Sequence, residues 1–523
     1  MENLTWDKVH VYSSFVEHIA NQNADYEHFV GGYINKENLL SKIQNRPKVN
    51  RPVLVQHLKD QYQSMSALNA VNELLIDSLA NENTYTLTTG HQICFLSGPM
   101  YLPIKIFQTI NLAKKFKELA PDFNFVPIYW MATEDHDYEE IQSTFLFDKK
   151  VSIDNINEQV KVGTVDASVI QQVLQSDINE ILCRNEVGAE LYQLIQKIFK
   201  KSKTLKEFMF HLCRKLFGED EFLILDADSS LLKQSANEIF KRELNEQIIQ
   251  QSVLDYEPTL NKYIPTSISP RNINLFAFEG NHRFRLELDN GNVVNADTGN
   301  NIDVDDLLSH PENISPNVLC RPMYQETILP NLAYIGGAAE LGYWAELTSA
   351  FQNFELQQPF VVLRNSVMVA ESKDLEQLKE VNMSFENLFL PQHELTDKLL
   401  NKSGTNLDFN EIENALEAYI NVLKPLSAEI DFTMIAHVEK HHAQETQYLK
   451  KLKKDLKKRA LAKDKTKVDQ LIKLKDKLLP NGKLNERKTN VLQYIVQYGE
   501  DFLPKLKEAS GAESEGLTVI HMA

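Results

Sequence analysis

Residues 134–137 read Glu-Asp-His-Asp, three carboxylates and an imidazole in four positions. Like charges this close repel and raise one another's pKa unless a cation, a metal or a proton-transfer task accounts for them, so the run is a candidate for chemistry. His136, oriented by Asp135 or Asp137, has the features of a general base. On an extended segment adjacent side chains point to opposite faces, so only Glu134 with His136, or Asp135 with Asp137, could share one ion. A Mg²⁺ held by one carboxylate and nucleotide phosphates is compatible with that restriction, whereas a closed zinc site is not expected. His437, His441 and Glu445 have ligand-like spacing but no HExxH pattern, and read as a solvated helix face. The sequence therefore assigns no metal site.

Four further polar clusters share one property with this run: each follows a short apolar stretch. "TYTLTT" leads to Thr89–Gln92, "FNFVPIYWMA" to Glu134–Asp137, "EFLIL" to Asp226–Ser229, "NLAYI" to Gly336–Glu340 and "PFVVL" to Arg364–Ser366. The stretches are near-continuous rather than alternating, as in parallel strands buried on both faces, and four of them precede plausible helices. An α/β fold with a doubly wound parallel sheet follows, and ligands of such sheets bind beyond the carboxyl ends of the strands. Each cluster also has a plainer reading. The Asp and Ser of 226–229 can be helix caps, Gly336 and Gly337 a tight turn, and Arg364 a structural ion-pair partner. The strict phosphate-loop patterns are absent. After the first strand, Ser97 or Gly98 is expected to cap a helix with Pro99 at its first position.

Two stretches interrupt the alternation of strand and helix, at about 145–220 and 245–315. The first ends in the helical pattern "LKEFMFHLCRKLF" before Gly218, and the second contains a β-meander with a type I′ turn at Asn290-Gly291. Both fit insertions into a core spanning 1–370. From 371 to 510 the texture is helical, with Leu449, Leu452, Leu456, Val468, Leu471, Leu474 and Leu478 at coiled-coil spacing, and 511–523 forms a tail. "LLPNG" is expected to turn the chain so that "VLQYIVQYGEDFLPKL" runs back as the second arm of a hairpin. So narrow an apolar stripe needs a partner helix, which predicts self-association.

Bulk properties bound the partners. The chain has 523 residues, 43% of them hydrophobic and 24% charged, which is globular and too long for a single core. Its net charge of −18 does not favour nucleic acid, although residues 450–477 carry thirteen Lys or Arg against four Asp. The four cysteines form no CxxC pair, the start lacks a signal pattern, and "FVPIYWMA" is far too short to span a bilayer. A reduced, cytoplasmic protein that binds neither membrane nor nucleic acid is expected.

The motifs "TTGHQICFLSGPMY", "VPIYWMATEDHDYEEI" and "SPNVLCRPMYQETILPNLAYIGGAAELGYWAEL" together resemble the bacillithiol-biosynthesis BshC family over nearly the whole chain. The resemblance implies a Rossmann-like core with insertions, a C-terminal coiled-coil domain that mediates dimerisation, and an ATP-dependent ligase that joins cysteine to glucosaminyl malate. Where the family commonly has Gln, this chain has His91, and its turn is Gly337-Ala338-Ala339 rather than Gly-Pro-Gly or all-glycine. For that reaction Gly90, His91 and Gln92 are expected at the substrate, with the N–H groups of Gly90 and Gln92 holding an anion. His136, with Asp135 or Asp137, takes the ammonium proton, and Gly336 and Gly337 meet the nucleotide. Arg321 and Arg364 pair with malate carboxylates or phosphates, while Gln325 and Glu340 orient substrate. Competing readings are a metal-assisted hydrolase or nucleotide-dependent transferase using the same crevice, and a non-catalytic dimeric scaffold.

Overall fold

A computed structural model describes residues 1–153, 160–280, 282–402 and 409–523. Parts of both expected insertions (154–159 and 281) and of the helical domain (403–408) lie outside the described residues. The five apolar stretches form one parallel sheet: β1 (Thr84–Gln92), β2 (Asn124–Ala132), β3 (Leu223–Asp226), β4 (Asn331–Gly336) and β5 (Phe360–Leu363). The spatial order is β5-β4-β1-β2-β3, the doubly wound arrangement with its switch point between β1 and β4. Leu87, Leu332, Ile335 and Phe360 of the sheet close a core with Leu112 and Phe116 of helix α1 (Tyr101–Leu119). No described helix is long and apolar enough to cross a membrane.

Helix α1 starts later than the sequence predicts. Pro99 is not its first residue. Leu96 and Ser97 take φ of +52° and +63°, and Gly98 takes φ +59° with ψ −160°. The cause lies far along the chain: Asn490 Nδ2 donates to the Leu96 carbonyl at 2.9 Å, and the Met100 N–H donates to the Thr489 carbonyl at 2.9 Å. A Cβ on Gly98 would meet the Cys94 Cβ at 2.6 Å in a conformation reserved for glycine. Gly98→Ala is expected to cost about 1–3 kcal/mol, read as a lowered denaturation midpoint.

Between β3 and β4, residues Leu275–Glu279, His282–Asp289, Asn292–Asn295 and Ile314–Pro316 form an antiparallel sheet. Asn290 and Gly291 have φ of +49° and +84°, the type I′ turn predicted from the dipeptide. Helix Leu205–Phe217 ends at Gly218 with φ +111°, also as predicted.

The chain divides into two compact units, Met1–Val369 with Leu484–Ile520, and Ala370–Lys483 with His521–Ala523. Residues 484–510, which the sequence reading places with the helical domain, pack in the first of these compact units. The hairpin of the second unit is also built differently. Its arms are Asn410–Ile430 and Met434–Lys463, turning at Asp431, whose carboxylate accepts from the Thr433 N–H at 2.9 Å. Within this unit Val468, Leu471, Leu474 and Leu478 are buried, while Val422, Ile430 and Phe432 are 72%, 82% and 77% exposed.

Candidate active site

All five strand ends open on one cavity of about 660 Å³, a volume suited to small-molecule ligands. Gly90, His91 and Gln92 close it from β1, Glu134, Asp135 and His136 from β2, Asp228 from β3, Gly337 and Glu340 from β4, and Arg364 from β5. His136 and Arg364 thus line one cavity, as the convergence of polar strand ends requires. Three expected residues, Asp137, Gln325 and Gly336, sit off the wall. Asp137 does not orient His136; its side chain caps the short helix α2 (Tyr138–Ile141) by accepting from the Glu140 N–H at 3.4 Å. Gln325 lies behind the wall on helix α3 (Arg321–Ile328), where it accepts from Arg321 at 2.8 Å and donates to Glu326 at 2.8 Å.

The acidic wall is organised by an arginine from the antiparallel sheet. Arg283 Nη1 lies 2.9 Å from both Asp135 Oδ1 and His136 Nδ1, and Nη2 donates to Ser315 at 2.9 Å. A guanidinium only donates, so His136 Nδ1 accepts and the neutral ring carries its proton on Nε2. Asp135 Oδ1 is 3.5 Å from Nδ1, so the expected Asp–His hydrogen bond at that nitrogen is replaced by Arg283. Burial opposes ionisation of Asp135, but the backbone N–H of His136 donating at 2.8 Å, the charge of Arg283 and the Gln92 amide hold its pKa below the ordinary value. Glu134 and Asp228 both pair with the fully buried Lys233, at 2.9 and 2.6 Å, and Asp228 also takes Lys161 at 2.8 Å. With these carboxylates committed to cations, no group of three potential metal ligands converges among the described residues.

The opposite wall is cationic. Lys105 of α1 donates to Glu340 at 2.5 Å and to the Gly90 carbonyl at 3.0 Å. Glu340 also accepts from Tyr334 at 2.5 Å and from the Gly337 N–H at 2.7 Å, at the start of helix α4 (Ala338–Glu346). Burial raises the Glu340 pKa, but Lys105 and these two donors outweigh it and leave the carboxyl below its ordinary value. The N-terminus of α4 is therefore already neutralised by a carboxylate of its own helix, which takes the place expected for a nucleotide phosphate at Gly337. Gly336 is not on the cavity wall; its carbonyl accepts from the Arg364 N–H at 2.7 Å. Gly90 and Gln92 lie within β1, in register with Trp130 and Ala132, so their N–H groups do not sit at a helix start.

Three arginines complete this wall. Arg321 lies over the Tyr334 ring at 5.1 Å and the Trp130 ring at 5.8 Å, and its Nη2 is buried with no hydrogen-bond partner among the described residues. Arg364 ion-pairs with Glu486 at 2.6 Å and stands 5.4 Å from the Tyr101 ring centroid, with Arg487 also on the wall.

His91 stacks on Tyr101 with ring centroids 5.0 Å apart. Burial, reinforced by the charge of Lys105, pushes its pKa down to about 3. A histidine neutral in the fold but protonated when unfolded gives stability that is complete above the unfolded pKa near 6.5 and lost as pH falls toward 3. The variant His91→Gln is expected to flatten the stability profile between pH 6.5 and 4, measured by denaturation at a series of pH values.

Lys105, Arg283, Glu140 and Arg487 are the cavity residues that sequence reasoning missed, together with Glu486, which pairs with Arg364 from behind the wall. Lys105 sits inside a helical stretch whose neighbours Ile104 and Ile106 are core. Arg283 occupies the side of its strand opposite Phe284, Leu286 and Leu288, which alternation alone assigns to solvent. Glu140 had one signal, its position three residues beyond the acidic run.

A family model described as Bacillithiol biosynthesis BshC, N-terminal Rossmann-like domain, matches residues 1–365, and the corresponding C-terminal coiled-coil domain model matches 367–522. Proteins provisionally named cysteine ligase BshC are similar over most of the chain. The one from Flavobacterium johnsoniae is 34% identical, covering 95% of this chain and 94% of its own. That from Christiangramia forsetii is 32% identical over 97% and 96%, and that from Flavobacterium psychrophilum 35% identical over 88% and 86%.

Proposed function

The chain belongs to the bacillithiol biosynthesis BshC family, and from that premise we propose that it is a ligase joining the carboxylate of cysteine to the amine of glucosaminyl malate. The observation that carries the reading is the two-sided cavity. One wall offers guanidinium groups to carboxylates or phosphates, the other carboxylates and an imidazole to an amine, across a space that holds two small molecules. An amide formed from a free carboxylate needs an activated acyl group, and ATP is the proposed source of that activation, with Mg²⁺ accompanying its phosphates.

The side chains divide the work. Arg321, with Nη2 unpaired, and Arg364 beside Arg487 receive the malate carboxylates or phosphates. Gln325 acts as a positioning residue by holding Arg321 Nη1. Gln92 donates to Asp135 and keeps a buried, unpartnered Oε1 as acceptor for a substrate N–H. His136 offers its Nε2–H to the oxygen on which charge develops. Glu340 keeps Lys105 at the Gly90 carbonyl, and His91 supplies an uncharged wall. A metal-assisted hydrolase is disfavoured because the carboxylates Glu134, Asp135 and Asp228 already pair with Lys233, Arg283 and Lys161.

Purified protein given ATP, cysteine and glucosaminyl malate should yield the amide-linked thiol by mass spectrometry; a folded protein that forms none contradicts the reading. The exposed Val422, Ile430 and Phe432 of the helical hairpin are the proposed surface of a homodimer. Light scattering should give twice the chain mass, and Val422→Glu with Ile430→Glu should return it to one.

A further inference from the structure

The proposed reaction needs a group to take a proton from the acceptor's ammonium before its nitrogen can attack. His136 is poorly placed for that task, since Arg283 already donates to its Nδ1 at 2.9 Å and so occupies the ring's one accepting lone pair. The carboxylates of the cavity are also committed, with one exception. Glu134 and Asp228 bind Lys233, Asp135 binds Arg283, and Glu340 binds Lys105. Glu140 lines the same cavity from α2, and its carboxylate has no hydrogen-bond or ion-pair partner among the described residues.

We propose that Glu140 is the catalytic base that accepts the ammonium proton of the acceptor amine in this ligase. The assignment rests on the proposed ligase reading and adds a residue to it. Its surroundings suit a base. The side chain is solvent-exposed at the cavity edge, where partial desolvation comes first, then Asp137 and Asp135, in raising the affinity of Glu140 for a proton; Glu340 acts in the same sense and Lys105 against it. The Cys94 thiol and the Tyr101 phenol also face it, and burial keeps both protonated at neutral pH. The step balances as follows. The ammonium N–H bond breaks and its proton goes to the Glu140 carboxylate. The freed lone pair then forms the C–N bond at the activated cysteinyl carbonyl, and the C–O bond to the phosphate-bearing leaving group breaks with its electron pair. The second proton lost from nitrogen leaves with that group or to water.

The test compares wild type, Glu140→Gln and Glu140→Asp in two assays. One measures amide formation with glucosaminyl malate. The other traps the activated cysteinyl group with hydroxylamine, a nucleophile already unprotonated at neutral pH that needs no base. Glu140→Gln should lose about 10²-fold or more in amide formation, lose the acid limb of its pH profile and keep hydroxamate formation within a few-fold; Glu140→Asp should recover part of the loss. Amide formation at the wild-type rate by Glu140→Gln overturns the assignment, as does an equal loss in both assays. If wild type gives neither amide nor hydroxamate, the ligase reading falls and the assignment with it. Hydroxamate and amide from wild type, with an unimpaired Glu140→Gln, leave the ligase standing and remove Glu140 alone.

Discussion

Replacing Glu486 by alanine is expected to destabilise the first unit by about 3–5 kcal/mol, the cost of removing one partner from a buried ion pair. The Glu486 side chain is fully buried, pairs with Arg364 at 2.6 Å and accepts the Val367 N–H at 2.7 Å. Without it, a guanidinium whose side chain is 3% exposed keeps one acceptor among the described residues, the Asn365 carbonyl at 2.9 Å. Denaturant unfolding followed by tryptophan fluorescence measures the loss. The double variant Arg364→Met with Glu486→Met should recover most of it, because an apolar pair of similar volume leaves no buried charge unpaired. A Glu486→Ala loss below about 1 kcal/mol would mean that the pair is open to solvent.

The largest functional effect is expected at Arg321. Truncation to Met should lower kcat/KM for glucosaminyl malate by about 10²–10³-fold, which corresponds to the 2–5 kcal/mol typical of losing one member of a desolvated, hydrogen-bonded charge pair. The side chain is held by Gln325 and by the faces of Tyr334 and Trp130, so its unpaired Nη2 is fixed before substrate arrives. Arg321→Lys should rescue little, since an ammonium cannot reproduce a planar two-point contact. Initial rates give the ratio, and circular dichroism reports separately that the fold is retained. A variant with wild-type kcat/KM would place the malate group elsewhere in the cavity.

The sheet was legible in the sequence because a parallel strand buried on both faces needs a near-continuous apolar run, and "NLAYI" and "PFVVL" have little other use. The Asn290-Gly291 turn was legible because few dipeptides tolerate two successive positive φ values. What the sequence hid depends on contacts between distant segments. The start of α1 is displaced by Asn490, and the amphipathic pattern from 491 onward carries no mark of which unit it packs in. Arg487 reaches the cavity, and Glu486 its partner Arg364, only because that segment returns to the first unit. The strand ends correctly named His136 and Arg364 as neighbours of one hollow, and the family resemblance added Arg321. They could not disclose that Arg283, brought in by an insertion, fixes the histidine's tautomer, or that Glu340 occupies the helix start suggested for a phosphate.

The most direct measurement is a crystal structure with glucosaminyl malate bound. The account predicts ligand density in the cavity at the ends of β1 and β4, with a carboxylate on Arg321 and the amine toward Glu140 and Gln92. Ordered ligand anywhere outside that cavity, with the cavity itself holding only solvent, would contradict it.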